Sequence, residues 1–479
     1  MRTFFLTLLF FCVQPFWAAE GAEHAQMLKL VESRLAEELA EGDFPSLVVG
    51  IVRGDELVFA KALGWADRQA KRPARVNTLY RIGSVTKVFT ASLLVKFRDR
   101  SLLRLDDPLA DFLPGSIPVP TNAKGAAEIT LRHLLTHSSG LPPMPVNLKR
   151  ATPEQPYGAT TREELMAGLK QTHLDNPVGA VYAYSNLGFS LLGLVVENVG
   201  RAPYAALLEE HLLGPLGMKR TGIDLDAELK KDLATPYAAR DTSRVVTDWK
   251  LGAAAPAGAI ASDLGDMARF ISWQFSAETD EKKVLGMASL AEMHRPQRLT
   301  GSWRSAIGLG WHVSPSQVGG DVVWHNGGMQ GFRSWVGFVA SAKVGVIVLS
   351  NCGKSVDELG RWLLDEAVIG FGAKEDSLGD SVVLAVAKRL VGKMAAPPGD
   401  DLQEMFHPGF LKAVPAEKIK AIFSSLHGSH GACRIRDSRL GKVPRSLKVN
   451  LSCEGGKTLR LALQVDGSAE ARIVFMKLN

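Results

Sequence analysis

The chain has 479 residues, 46% of them hydrophobic and 22% charged, a composition that excludes a disordered chain, a collagen and a coiled coil. Its formal net charge is +6. Residues 373–479 hold 17 basic and 11 acidic residues, so the whole excess sits in the last fifth and the first 372 residues are neutral. A polyanion partner for the main body is therefore not implied, and nucleic acid is not expected as a partner.

In chain order, Arg2 precedes an apolar run, Phe4–Val13, and then the small residues Ala18, Ala19, Gly21 and Ala22. Ala19-Glu20-Gly21 fits a small-x-small cleavage site. Residues 1–21 therefore read as a secretory signal peptide, with an uncleaved anchor as the alternative, and the protein is expected to be exported, periplasmic or secreted. Beyond this leader the chain keeps Cys352, Cys433 and Cys453. Export would permit Cys433 and Cys453 to pair, leaving Cys352 as a buried thiol.

Helical periodicity covers 24–41. Leu47–Val52 and Leu57–Leu63 flank a Gly-Asp turn and predict a hairpin. Residues 78–83 form a short extended entry, and Ser84–Phe97 reads as a buried helix. The middle, 105–300, mixes Pro- and Gly-rich loops with helix candidates at 161–171, 186–199, 203–212 and 262–276, and 141–160 reads as one long loop. Strands return at 322–325, 334–339 and 344–349, followed by a helix at 359–369. Strands, helical middle, strands, helix: that order predicts an α/β fold. One antiparallel sheet built from both chain ends is flanked by helices, with an inserted helical subdomain, over 22–372. From 373 to 479 the pattern changes to helices at 380–394 and 415–426 and four alternating strands at 432–436, 446–453, 458–466 and 470–478. These read as a small basic α+β module.

Three short elements carry candidate chemistry. Ser84-Val85-Thr86-Lys87 opens the buried helix. A serine there is an N-cap in the plainest reading. Its partner at i+3 shares the helix face, however, and a lysine desolvated at a helix start can take the proton of a serine nucleophile. Tyr184-Ser185-Asn186 precedes an apolar helix. Asn186 there is either a cap or a substrate ligand, and Tyr184 either a core aromatic or a proton relay, with Tyr182 competing. His325-Asn326-Gly327-Gly328 ends a late strand, where two glycines let a substrate backbone approach. The eleven histidines and three remaining cysteines show no metal-ligand spacing, so neither metal nor cofactor is expected.

In this order and with these intervals, the three elements resemble Ser-x-x-Lys, Tyr-x-Asn and Lys-Thr-Gly of the serine β-lactamase and penicillin-binding-protein superfamily, most closely its class C-like branch. Leu134–Pro142, Tyr184–Gly193, Leu213–Met218 and Gly308–Trp311 resemble it too. The resemblance covers about 44–370 and implies a β-lactamase/transpeptidase-like fold. It implies Ser84 as the acylated nucleophile, with Lys87 and Tyr184 as its catalytic partners. Asn186, His325 and Gly327 become substrate-binding residues, and the backbone N–H groups of Ser84 and Gly328 the oxyanion hole. The departure is His325, where the family's third motif begins with Lys. A fixed cation becomes a group titrating near pH ~6.5 if unperturbed, which weighs against efficient β-lactam hydrolysis and toward the D-aminopeptidase and esterase variants with His-x-Gly. The expectation is an exported serine hydrolase acting on a small-molecule or peptide substrate, plausibly D-amino-acid peptides or small esters. The alternatives are a true class C-like β-lactamase and a catalytically silent protein that binds cell-wall peptides. The basic module is either a weak contact for an anionic cell-envelope surface or a solvated face.

Overall fold

The structure is a computed structural model that describes residues 16–41, 44–122, 127–147, 155, 160–275, 284–316, 318–371, 378–394, 404–440, 446–466 and 472–478. Most of the expected signal peptide, residues 1–15, lies outside the described residues, and Phe16–Ala40 is a helix. The chain divides into two compact units, one of residues up to 316 with 320–372, the other of 317–319 with 373–479.

The strands of the first unit are β1 (Ser46–Arg53), β2 (Glu56–Asp67), β3 (Arg72–Pro73), the short pair β4 (Tyr80–Arg81) and β5 (Ala261–Ser262), then β6 (Arg298–Ser302), β7 (Ser305–Ile307), β8 (His312–Pro315), β9 (Asp321–Met329), β10 (Phe332–Val339) and β11 (Val344–Ser350). All but β4 and β5 join one antiparallel sheet in the order β3-β2-β1-β11-β10-β9-β8-β7-β6. The two chain ends meet where β1 pairs with β11, Val49 opposite Val348. Both faces of the sheet are covered, which is why Leu47–Val52 of β1 and Val344–Leu349 of β11 are continuous apolar runs rather than alternating. Val48, Val336, Ile347 and Leu349 join one core with the helical middle. Leu47, Val49, Val346 and Val348 join another with the Phe16–Ala40 and Asp357–Phe371 helices. β6 to β8 are additions to the sequence expectation, because strands of three to five residues with mixed burial carry little periodic signal.

The helix Thr86–Asp99 is buried from Thr86 to Phe97. It packs against the helix Asn186–Gly200 and the 3-10 segment Gly252–Ala257. Those two elements also pack on each other, and Gly193 permits it: a Cβ there would sit 2.1 Å from Pro256 Cγ.

The second unit has its own core. It contains the helices Leu378–Met394, Pro408–Ala413 and Ala416–His430 and the meander β12 (Cys433–Leu440), β13 (Ser446–Cys453), β14 (Thr458–Val465) and β15 (Ile473–Leu478). Leu447, Val449 and Leu451 of β13 and Leu459, Leu461, Leu463 and Val465 of β14 face this core. Cys433 and Cys453 stand directly opposite each other and form a disulfide, while Cys352 is a buried thiol outside it.

Candidate active site

The Ser-x-x-Lys segment folds as a 3-10 turn, Gly83–Val85, running into the helix. Ser84 is not the helix cap: that position belongs to Val85, with no side-chain bond. Gly83 has φ +52°, and a Cβ on it would lie 2.6 Å from Gly328 N, so only glycine permits the turn to press against β9. The same is true from the other side. A Cβ on Gly327 would lie 1.9 Å from Ile82 O, and Ser334 Oγ donates to that carbonyl at 2.7 Å. These contacts bring the backbone of Gly327 and Gly328 alongside Ser84.

Lys87 is fully buried, with Nζ 3.1 Å from Ser84 Oγ, 2.8 Å from Asn186 Oδ1 and 2.6 Å from Ala257 O. Desolvation holds its pKa well below the usual lysine value. The three partners fit the neutral amine that this direction favours. A neutral amine has two N–H donors and one lone pair. The carbonyl oxygens of Asn186 and Ala257 take the donors, which leaves the lone pair for the Ser84 hydroxyl.

Ser185, not Asn186, caps this helix, accepting from Gly188 N at 3.0 Å. Of the two tyrosines, Tyr184 lies against the lysine, its ring centroid 4.9 Å from Nζ and 6.5 Å from the His325 ring. Tyr182 packs edge-on to His137 and His312 instead, and burial raises its pKa to about 12.

His325 lies inside β9 rather than at its end, because the strand runs on to Met329. It is fully buried. Its Nδ1 donates to Asn326 O at 2.6 Å, so in the neutral ring Nε2 carries a lone pair, and that atom has no hydrogen-bond partner among the described residues. Desolvation, then the nearby His312 and Lys87, push its pKa well below the usual histidine value. The ring is thus moved away from the unperturbed value near ~6.5, and at neutral pH this position presents a hydrogen-bond acceptor, not a cation.

Two further histidines complete the wall and were given no role from the sequence. His137 is buried with φ +51°, accepts from Ser185 N at 3.1 Å on Nδ1, and packs tilted against Tyr184 with ring centroids 4.3 Å apart. His312 stacks on Trp324 at 4.7 Å and lies 5.1 Å from His325, and burial lowers its pKa to about 4. His137 falls in the Leu134–Pro142 segment, where its left-handed backbone position gives no sequence signal. His312 sits in a four-residue strand too short for pattern reading.

A helix-start serine held by a buried lysine, with a tyrosine over that lysine and a glycine strand beside it, defines a class of serine hydrolases. Residues 31–369 match the family model named Beta-lactamase. The D-alanyl-D-alanine-carboxypeptidase/endopeptidase AmpH of Escherichia coli (strain K12) is 28% identical over 354 residues, covering 69% of this chain and 86% of AmpH. Protein flp of Staphylococcus aureus (strain MW2) is 24% identical over 325 residues, 67% of this chain and 62% of that protein. Among solved structures, the octameric penicillin-binding protein homologue from Pyrococcus abyssi superposes with a TM-score of 0.63 at 23% identity, over 92% of each chain. The class C beta lactamase from Rhodobacter sphaeroides gives 0.60 at 21%, over 71% of this chain and 99% of that one. The chain belongs to the beta-lactamase family, and it is a serine hydrolase.

Proposed function

We propose that the protein hydrolyses amide or ester bonds through an acyl-enzyme on Ser84, with D-amino-acid peptides or small esters as substrates. The observation that carries this reading is the Lys87 amine, dry and flanked by two carbonyl acceptors, with Ser84 Oγ as its third neighbour. Ser84 Oγ attacks the scissile carbonyl and its proton passes to Lys87 Nζ. The carbonyl oxygen, becoming an oxyanion, takes hydrogen bonds from the N–H groups of Ser84 and Gly328. Tyr184, lying over the amine, relays a proton to the leaving group. Water then attacks the acyl carbon and releases the acid.

His325 steers the substrate class. Its Nε2 lone pair accepts a hydrogen bond from a substrate N–H or O–H, and no charge is present there at neutral pH to hold a carboxylate. AmpH, named a carboxypeptidase and endopeptidase, supports a peptide substrate. Export is supported by the Arg2 and Phe4–Val13 leader and by the Cys433–Cys453 disulfide, which suits an oxidising compartment.

Intact-mass spectrometry across penicillins, D-peptides and 4-nitrophenyl esters tests the reading. The expected result is one acyl adduct with esters or D-peptides, absent in Ser84→Ala. An adduct that persists in Ser84→Ala sinks it. Rapid nitrocefin turnover would instead make the protein a true β-lactamase.

A further inference from the structure

Beyond Gly328, β9 opens onto a basic cleft of about 480 Å³ whose lining includes Arg240, Arg244, Trp249, Gly328, Gln330 and Arg333. None of the described residues lining it is acidic. Arg333 is directly opposite Gly328 in the β9–β10 ladder, and its guanidinium folds back over that glycine: a Cβ on Gly328 would lie 2.8 Å from Arg333 Nη1. The turn that joins the two strands is fixed by Gly331, where a Cβ would meet Pro236 and Val246, so the loop carrying Arg240 and Arg244 is held against the same corner.

Arg333 is half-buried. Among the described residues its hydrogen bonds leave Nη1, for Phe332 O at 3.1 Å and Met329 O at 3.5 Å. It forms no ion pair among the described residues. Asp357, the acid whose field reaches it, accepts from Asn326 Nδ2 at 2.7 Å. Desolvating a guanidinium against carbonyls alone is unfavourable, and an anion arriving from solvent would offset that cost. The planar fork of donors matches a carboxylate.

The direction of the substrate follows from the acyl-enzyme reading above, on which this inference rests. Tyr184 lies toward the His325 end of β9, so the leaving group occupies that end. Three residues further on, about 10 Å along the strand, Gly328 begins the basic cleft. The chain attached to the scissile carbonyl therefore runs toward Arg333. We propose that Arg333, flanked by the exposed Arg240 and Arg244, is a specificity-determining residue that binds a carboxylate carried on the acyl portion of the substrate, several bonds from the scissile carbonyl. The leaving group is read by an uncharged histidine, and the acyl group by an arginine.

Two 4-nitrophenyl esters test this, the adipate monoester, with a free terminal carboxylate, and the uncharged hexanoate of the same chain length. The readout is the ratio of their kcat/KM values, corrected for spontaneous hydrolysis. The wild type should favour the adipate by about tenfold or more, the scale of one charge-assisted pair. Arg333→Gln should abolish that preference, mainly through KM, and Arg333→Lys should restore part of it. A ratio unchanged in Arg333→Gln, including equal losses on both esters, overturns the proposal. Should Arg333→Gln fail to fold by circular dichroism, Arg240→Gln/Arg244→Gln carries the test: the preference should fall about threefold, and an unchanged preference overturns the proposal. Absence of any acyl adduct on wild-type Ser84 with both esters would instead break the acyl-enzyme reading.

Discussion

The Lys87 site and the C-terminal module solve opposite problems. Around Lys87, polar atoms are taken out of water and must satisfy one another: an amine, an amide and a backbone carbonyl from three separate elements, with three uncharged histidines nearby. In the module, apolar side chains alternate inward along β13 and β14, the core is made from local neighbours, and a disulfide closes a 20-residue separation. The first arrangement sacrifices stability for chemistry; the second is built for stability. Substitutions in each should therefore behave differently.

The largest expected effect is Lys87→Met. Turnover of an ester should fall by about 10²- to 10⁴-fold, the usual contribution of a positioned base, while stability stays level or rises because a buried amine is replaced by an apolar side chain. Burial depresses the folded pKa of Lys87, so between that value and 10.5 the unfolded chain binds more protons and native stability rises with pH. The advantage of Lys87→Met over the wild type, measured by urea unfolding, should thus shrink as pH rises toward 10.5 and grow as pH falls from there, by at most about 1.4 kcal/mol per pH unit. A variant that is strongly destabilised at neutral pH would erase the contrast between the two regions.

Next comes Gly327→Ala. Its methyl would meet Ile82 O and displace β9 from Ser84. A loss of about 10²- to 10³-fold in kcat is expected, the size of a lost oxyanion donor, with the acyl adduct slow to form by mass spectrometry. Normal acylation would mean that the β9 contact does not set the oxyanion geometry.

Removing the disulfide with Cys433→Ser/Cys453→Ser should lower the stability of the module by about 3 kcal/mol, read as an earlier transition in denaturant. Ester turnover at 25 °C should be unaffected, since both cysteines lie in the core of the second unit. A parallel loss of activity would tie the two regions together.

The smallest effect belongs to His312. Burial lowers its folded pKa to about 4. The unfolded chain therefore binds more protons from about pH 4 to about 6.5, and stability is lost as pH falls through that window. His312→Gln should flatten that slope by at most about 1.4 kcal/mol per pH unit. An unchanged slope would mean the ring is already hydrated.

The elements that were legible in the sequence are those with long regular patterns: the β1–β2 hairpin, the buried helix behind Ser84, and the alternating β13 and β14. Several were not. β6 to β8 are too short to show a period, and a cap at Ser185 looks the same in sequence as one at Asn186. Tyr182 and Tyr184 differ only in which one the fold turns onto Lys87. His325 shows the limit most clearly, since its residue type suggests a titrating group and only its surroundings make it a neutral acceptor.

By itself the sequence determined the order Ser84, Lys87, Tyr184, Asn186, His325, Gly327, the restriction of the +6 charge to the last fifth, and the strand pattern of the module, because local chemistry and periodicity are written residue by residue. The tertiary structure alone decided that Ala257 O and Asn186 Oδ1 occupy the donors of Lys87, that His137 and His312 line the site, and that Arg333 lies over Gly328. Those facts depend on desolvation and on contacts between residues far apart in the chain, from 99 to 170 positions for Lys87, and no local pattern encodes them.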